Sequence, residues 1–277
     1  MSSYKLLGLL IGFWVWNGVS EAEVKMPDRG ICAHRGASVS HPENTIAALM
    51  ESIRLGAHMI EFDLALTKDE QIVVLHDPTL DRPTDGSGAV KDWNLTDLKK
   101  LDAGLFKGVG FKGEQIPTFR EALSIMPENV WLNVHLKGHE KLAVLATQEI
   151  VRQNRLHQCF LACDKKAAAG ALKTDSRIKI CNMERQANSL QYVRESIDAE
   201  SDFLQLFGGN TVNPMFTTLA KKNGLRINFC CTNDKQVLEG LLEAGVEFPL
   251  VDDLQNMLEV AQSKGIAPLT PVYKARI

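Results

Sequence analysis

From residue 31 onward, short runs of apolar residues alternate with longer stretches whose apolar positions recur at helical spacing. The apolar runs are residues 31–35, 59–66, 130–137, 160–163, 178–183, 203–207, 226–231 and 248–252, eight in all. They are nearly continuous rather than alternating, which is the pattern of strands covered on both faces in a parallel sheet. Helix-length segments lie between them at 44–55, 139–154, 189–199, 214–223, 235–244 and 254–263. Asn44-Thr45 supplies an N-cap signal before the first helix. Gly56, Gly224, Gly245 and Gly265 fall where helices should end. Strand–helix alternation repeated eight times predicts an α/β chain folded as a (β/α)8 TIM barrel. An open, doubly wound sheet is the alternative.

One region interrupts the alternation. Residues 67–71 read as a turn, 72–76 as a short returning strand, and 78–116 as a Gly- and Asp-rich insertion with one helical piece at 95–101. An insertion after the second barrel strand belongs over the C-terminal ends of the strands, where it would wall or cap a site. The insertion is too short for a core of its own.

Composition fits one barrel occupying residues 28–270 within the 277-residue chain. The chain is 45% hydrophobic and 23% charged, and its net charge of -3 excludes a general nucleic-acid binder. The N-terminus changes the picture more. Lys5 precedes the uncharged run 6–19, which is shorter than the roughly 20 residues a bilayer span needs. Small residues follow, with Gly18/Ser20 or Ser20/Ala22 as cleavage pairs. Residues 1–22 are expected to be a secretory signal, placing the protein outside the cell or in the periplasm. An uncleaved N-terminal membrane anchor is the alternative. No later stretch would span a membrane. Cys32, Cys159, Cys163, Cys181, Cys230 and Cys231 nearly all lie inside apolar runs and are expected to be free buried thiols; a bridge is the alternative. Asn94-Leu95-Thr96 is a glycosylation acceptor in a eukaryotic secretory route.

Candidate chemistry gathers at the ends of the first two strands. Glu61 and Asp63 are two apart on a strand and face the same side. Two carboxylates inside a barrel mouth repel each other unless neutralised, and a divalent cation on oxygen ligands is the simplest neutraliser. His34 and His76 each close an apolar run, and two imidazoles can hold opposite protonation states near neutral pH. Arg35 offers a fork for phosphate oxygens, and Gly36 would let the backbone pass close to a ligand. Asp77 either orients His76 or caps the following turn.

These residues carry a resemblance. His34-Arg35-Gly36, Pro42-Glu43-Asn44-Thr45, Glu61-Phe62-Asp63, Thr67-Lys68-Asp69 and His76-Asp77 resemble the motifs of the glycerophosphodiester phosphodiesterase family. Asp85-Gly86-Ser87-Gly88, Leu101-Asp102-Ala103-Gly104 and Ile116-Pro117-Thr118 continue the match in the insertion. The runs 132–137 and 245–252 match more loosely. The resemblance implies a barrel that hydrolyses glycerophosphodiesters, with one divalent metal ion, usually Ca²⁺ or Mg²⁺. It implies His34 and His76 as the acid/base pair, Arg35 and Lys137 on the phosphate, and Glu61 and Asp63 on the metal. Where the family carries its third metal-binding glutamate, this chain has His135. An imidazole ligand there would shift preference towards Mn²⁺ or Zn²⁺. The chain also has Cys230-Cys231 where the family often has a tryptophan, and Val251-Asp252 where it commonly ends Thr-Asp.

The expected partner is therefore a small glycerophosphodiester. A lysophospholipid, as in a lysophospholipase D or sphingomyelinase-like enzyme, is the second enzymatic reading, favoured if Leu105, Phe106, Val109 and Phe111 line an apolar groove. A non-catalytic phosphate- or lipid-binding protein is the third. The sequence leaves the oligomeric state open.

Overall fold

The structure, a computed structural model, describes residues 24–274, so the expected signal segment lies outside the described residues. Nine strands form one sheet: β1 (Cys32–Ala33), β2 (Met59–Leu66), β3 (Ile72–Val74), β4 (Trp131–Leu136), β5 (Cys159–Cys163), β6 (Lys179–Asn182), β7 (Phe203–Phe207), β8 (Arg226–Cys230) and β9 (Phe248–Val251). All except β3 run parallel, each beside its neighbour in the chain. β1 pairs with β2 through Cys32↔Met59 and with β9 through Cys32↔Leu250. That double pairing closes the sheet into the expected (β/α)8 barrel and excludes the open-sheet alternative. β3 returns antiparallel along β2, with Leu64 opposite Val74.

The helices are α1 (Ile46–Leu55), α2 (Leu95–Leu98), α3 (Phe119–Ile125), α4 (Glu140–Arg152), α5 (Lys165–Thr174), α6 (Leu190–Asp198), α7 (Pro214–Lys222), α8 (Lys235–Glu243) and α9 (Leu254–Ser263). Two of them lie beyond the sequence expectation. α3 is only seven residues long and is nucleated by a capping box in which Thr118 and Glu121 satisfy each other's backbone N–H. α5 reads KKAAAGALKT, and it buries only the small residues Ala167, Gly170 and Ala171. The first helix begins at Ile46, with Thr45 rather than Asn44 as its cap: Thr45 Oγ1 accepts from Ala48 N. Gly56, Gly224, Gly245 and Gly265 all take positive φ at or just beyond helix ends, as expected.

Alternation along the strands sends every second residue into the lumen. The floor is apolar, with Cys32, Met59, Trp131, Phe160, Phe203 and Phe248 buried together. Phe160 and Phe203 stack with centroids 3.9 Å apart. The next layer up is polar: Glu61, Asn133, Gln205 and Asn228 are all buried. Asn133 Nδ2 donates across the lumen to Gln205 Oε1 at 3.4 Å. The top layer holds the candidate chemistry.

The insertion 78–116 shares a small core with the hairpin, in which Leu80, Val90, Leu98, Ala103 and Ile116 pack on Ala65, Val73 and Leu75. Asp102 organises its far end by accepting from the N–H groups of Gly104, Leu105 and Gly113, each at 2.8 Å. Cys32, Cys159, Cys163 and Cys181 are free and buried, as expected. Cys230 and Cys231 are not free: they are bonded to each other. The general expectation failed at the one place where two thiols meet at the end of a strand.

Candidate active site

The candidate residues lie within β2, within or just beyond β4, in the loop after β1, and just beyond the returning strand β3. Beyond β1 the chain turns sharply: Arg35 and Gly36 both take positive φ, 58° and 79°. Such backbone is costly for Arg35 and is held by its N–H, which donates to Glu61 Oε2 at 2.8 Å. Gly36 does not serve as a ligand passage. A Cβ there would lie 2.8 Å from the backbone of Ala48, so the glycine lets α1 approach.

Glu61 and Asp63 on β2 and His135 on β4 meet, because Asp63 and His135 are paired in register. Their ligand atoms all lie within 4.8 Å of one another. His135 Nδ1 is 3.6 Å from Glu61 Oε1 and 3.4 Å from Asp63 Oδ1. Lys137, two residues further along, places Nζ 3.1 Å from Asp63 Oδ1. Burial alone would raise the Asp63 carboxyl, but His135, Lys137 and Asn44 outweigh it and hold the group well below the usual carboxylate range. His135 is pushed up by the two carboxylates against the opposing effect of burial. Asp63 Oδ1 is buried and makes no aligned hydrogen bond despite these neighbours. An acceptor left free between a second carboxylate and an imidazole suits a divalent cation.

Two histidine–carboxylate pairs belong to the same network. His34 Nδ1 lies 2.8 Å from Asp252 Oδ1, and its Nε2 is turned towards Glu61 Oε2 at 4.0 Å. Burial opposes a charge on His34, but the hydrogen bond to Asp252 and the nearby Glu61 raise its pKa overall. Asp252 itself is lowered to about 2: burial acts against this, and the bonds from His34, Asn233 and Ser38 outweigh it. His76 Nδ1 lies 2.8 Å from Asp77 Oδ1. Of the two readings of Asp77, the structure favours orientation of His76. Arg82 grips Asp77 through Nε and Nη2 at 2.6 and 2.8 Å and holds its carboxyl down at about 2.

Arg82 also connects the two halves. It forks onto Glu43 at 2.9 and 2.7 Å, and Glu43 accepts from Arg35 Nη1 at 3.0 Å. Arg35 Nε points towards Asp63 Oδ2 at 3.7 Å without an aligned bond. Asn44, with φ of 58°, donates from Nδ2 to Asp63 Oδ2 at 2.8 Å and accepts from Asp63 N at 3.1 Å. Arg82, Asp252, Asn44, Glu43 and Asn233 were not among the predicted site residues. The motif 42–45 contained two of them. Arg82 bonds Asp77 five residues away, but its link to Glu43 spans 39 residues and left no local signal.

The arrangement has the parts for phosphodiester hydrolysis. Each imidazole ties Nδ1 to a carboxylate and leaves Nε2 for proton transfer. Arg35 and Lys137 bring positive charge beside the Glu61–Asp63–His135 group. The sequence profile of the glycerophosphoryl diester phosphodiesterase family matches residues 34–256. The chain belongs to that family.

Among relatives, the glycerophosphodiester phosphodiesterase of Caldanaerobacter subterraneus subsp. tengcongensis is 32% identical over 243 residues, covering 85% of this chain and 98% of the relative. A Bacillus subtilis glycerophosphodiester phosphodiesterase is 40% identical over 116 residues, 39% of this chain and 40% of that one. An Oleispira antarctica phosphodiesterase, solved with its product sn-glycerol-3-phosphate, superposes with TM-score 0.75 at 25% identity, covering 84% and 96% of the two chains. The protein is accordingly a phosphoric diester hydrolase of glycerophosphodiesters. Among the described residues no helix is long and apolar enough to cross a membrane.

Proposed function

We propose that the protein cleaves glycerophosphodiesters into glycerol phosphate and an alcohol, with His34 and His76 sharing the proton transfers. The observation that carries this reading is a pair of Nδ1-anchored imidazoles joined to one carboxylate–imidazole group, His34 beside Glu61 and His76 through the network Asp77–Arg82–Glu43–Arg35. Asp252 and Asp77 hold each ring in the tautomer whose Nε2 is free. One imidazole takes the proton from the attacking hydroxyl, either water or the substrate's own glycerol hydroxyl; in the second case the alcohol leaves a cyclic phosphate, which water opens to glycerol phosphate in a second step with the acid and base roles exchanged. The other returns a proton to the leaving alkoxide, so the pair ends in the opposite state and exchanges protons with water. Arg35 and Lys137 face the non-bridging phosphate oxygens. Glu61, Asp63 and His135 would hold one divalent cation, Ca²⁺ or Mg²⁺ as in the family, or Mn²⁺ or Zn²⁺ because of the imidazole. When bound, the cation supplies charge stabilisation for the phosphorane oxygens. The product captured by the Oleispira antarctica relative supports glycerol 3-phosphate as the shared product. We further propose export, on the strength of the N-terminal segment.

The test is turnover of glycerophosphocholine by the chelator-stripped protein, with Mg²⁺, Ca²⁺, Mn²⁺ and Zn²⁺ added back singly. Activity should return with at least one of them and should fall by about 10²–10⁴-fold in His34→Ala and His76→Ala. Full activity under chelation, or in either variant, refutes the assignment.

One observation favours a second reading. The insertion holds Leu105, Phe106 and Val109 out to solvent, 44%, 44% and 86% exposed, while Lys107 Nζ bonds Ser38 O at 2.6 Å beside the β1 loop. An apolar rim there suits an acyl chain. Faster turnover of lysophosphatidylcholine than of glycerophosphocholine, lost in Phe106→Ser with Val109→Ser, would establish it; equal loss of both activities would refute it.

A further inference from the structure

The disulfide between Cys230 and Cys231 lies where β8 meets the site, and it touches the acid/base machinery. Cys231 Sγ is 3.8 Å from His34 Nδ1 and 4.0 Å from Nε2. It lies beside the ring at nearly equal distance from both nitrogens. Both half-cystines are partly buried and pack on the apolar cluster that fills the lumen, at the C-terminal end of β8. The two residues that follow brace the same histidine from another side. Thr232 N donates to Leu250 O at 3.1 Å, which ties this segment to β9. Asn233 Oδ1 accepts from the backbone N–H of both Asp252 and Asp253, and its Nδ2 donates to Asp252 Oδ2 at 3.0 Å. One short segment therefore packs against the imidazole and grips the carboxylate that orients it. The other four cysteines are buried and free, so among the described residues this is the only bond a reductant can break.

We propose that the Cys230–Cys231 disulfide is a positioning element for His34, and that the protein turns over substrate at full rate only with that bond closed. A dithiol reductant converts the bond to two thiols while being oxidised to its own disulfide. Each sulfur gains a proton, and the link that fixes Cys231 against the ring is gone. The segment 230–233 then gains freedom at the point that holds both the ring and Asp252. A misplacement of ~1 Å at a proton-transfer group costs up to about a hundredfold in rate. Closure of the bond would couple activity to an oxidising compartment, which agrees with the proposed export. The inference rests on His34 as an acid/base group.

The experiment measures kcat and KM for glycerophosphocholine before and after reduction by tris(2-carboxyethyl)phosphine, in wild type and in His34→Ala, with the metal held constant. Mass spectrometry counts the thiols formed, and a melt confirms that the fold persists. The expected result in wild type is a fall in kcat of about ten- to a hundredfold, an unchanged KM, and recovery on reoxidation. In His34→Ala the residual rate should not fall further on reduction, since both changes act on one group. Cys231→Ser, which keeps size but cannot close the bond, should match reduced wild type and gain nothing from oxidation. If reduction unfolds the protein, Cys231→Ser with a wild-type melt carries the test alone. Unchanged kcat with both thiols counted overturns the proposal. So does a rise confined to KM, or an equal further loss in His34→Ala. Full activity of unreduced His34→Ala would instead overturn the acid/base reading beneath it.

Discussion

Replacing Asp252 with asparagine changes one atom and should nearly silence the protein. Asn233 cannot turn to accommodate the change, because its Oδ1 is committed to the N–H groups of Asp252 and Asp253 at 2.8 and 2.9 Å. Its Nδ2 therefore still points at position 252. The new amide must present oxygen to Asn233 and its NH2 group to His34 Nδ1. A donor at Nδ1 forces the imidazole to accept there and to carry its proton on Nε2. As a base, His34 would then lack its free Nε2 lone pair; as an acid, it would be neutral instead of cationic. General acid–base catalysis contributes about 10²–10⁴ in rate, roughly 3–5 kcal/mol of barrier. The loss in kcat should lie in that range with a wild-type melting temperature. Asp252→Ala leaves the ring free to choose its tautomer and should be the milder change. The assay is steady-state release of glycerol phosphate from glycerophosphocholine. An Asp252→Asn protein within about threefold of wild type, well short of the 10² minimum, or one more active than Asp252→Ala, would refute the reasoning.

Other predictions bear on the frame around the site. Asn44→Ala strips partners from the buried Asp63 N–H and Oδ2 and places alanine at φ 58°. It should cost about 3 kcal/mol, roughly 6–12 °C in Tm, measured by calorimetry. Iodoacetamide should modify no cysteine in the native protein, four after unfolding and six after unfolding with reduction, because four thiols are buried and two are bonded. Burial raises Cys163 to about 12 and suppresses its thiolate in the folded state. His58 is buried with Nδ1 accepting from Ile31 N and Nε2 donating to Ala267 O, and burial lowers its pKa. The unfolded chain therefore binds the proton more readily, and the stability His58 contributes is present above about pH 6.5 and lost as pH falls through the folded pKa. The gap in Tm between wild type and His58→Ala should be widest near pH 8 and narrow towards pH 5. A gap that widens on acidification would contradict that sign.

The barrel was legible because its strands are covered on both faces and so read as apolar runs. The site was legible where it follows strand periodicity. Glu61 and Asp63 are spaced by two; His135 and Lys137 were legible only through the resemblance to the family, and register then brings Asp63 and His135 together. What escaped was tertiary. Asp252 is 218 residues from His34, and Arg82 reaches Glu43 across 39 residues from inside the insertion. Asn44 carried the local signature of a helix cap, but Thr45 takes that role and the asparagine turns to Asp63. The helices α3 and α5 escaped because one is short and the other buries only small side chains. The bonded pair at Cys230 and Cys231 sat inside an apolar run that otherwise described buried thiols correctly.

The central claim is that Glu61, Asp63 and His135 form one divalent-metal site that serves the two histidine–carboxylate pairs. The most direct measurement is calorimetric titration of Mn²⁺ into chelator-stripped wild type and His135→Ala, with Glu61→Gln as a further comparison. Wild type should bind one ion per chain. His135→Ala should bind more than about tenfold more weakly, since loss of even an outer partner of a metal ligand costs that much. Glu61→Gln should be weakened as well. Binding by His135→Ala equal to wild type, in stoichiometry and affinity, would contradict the account.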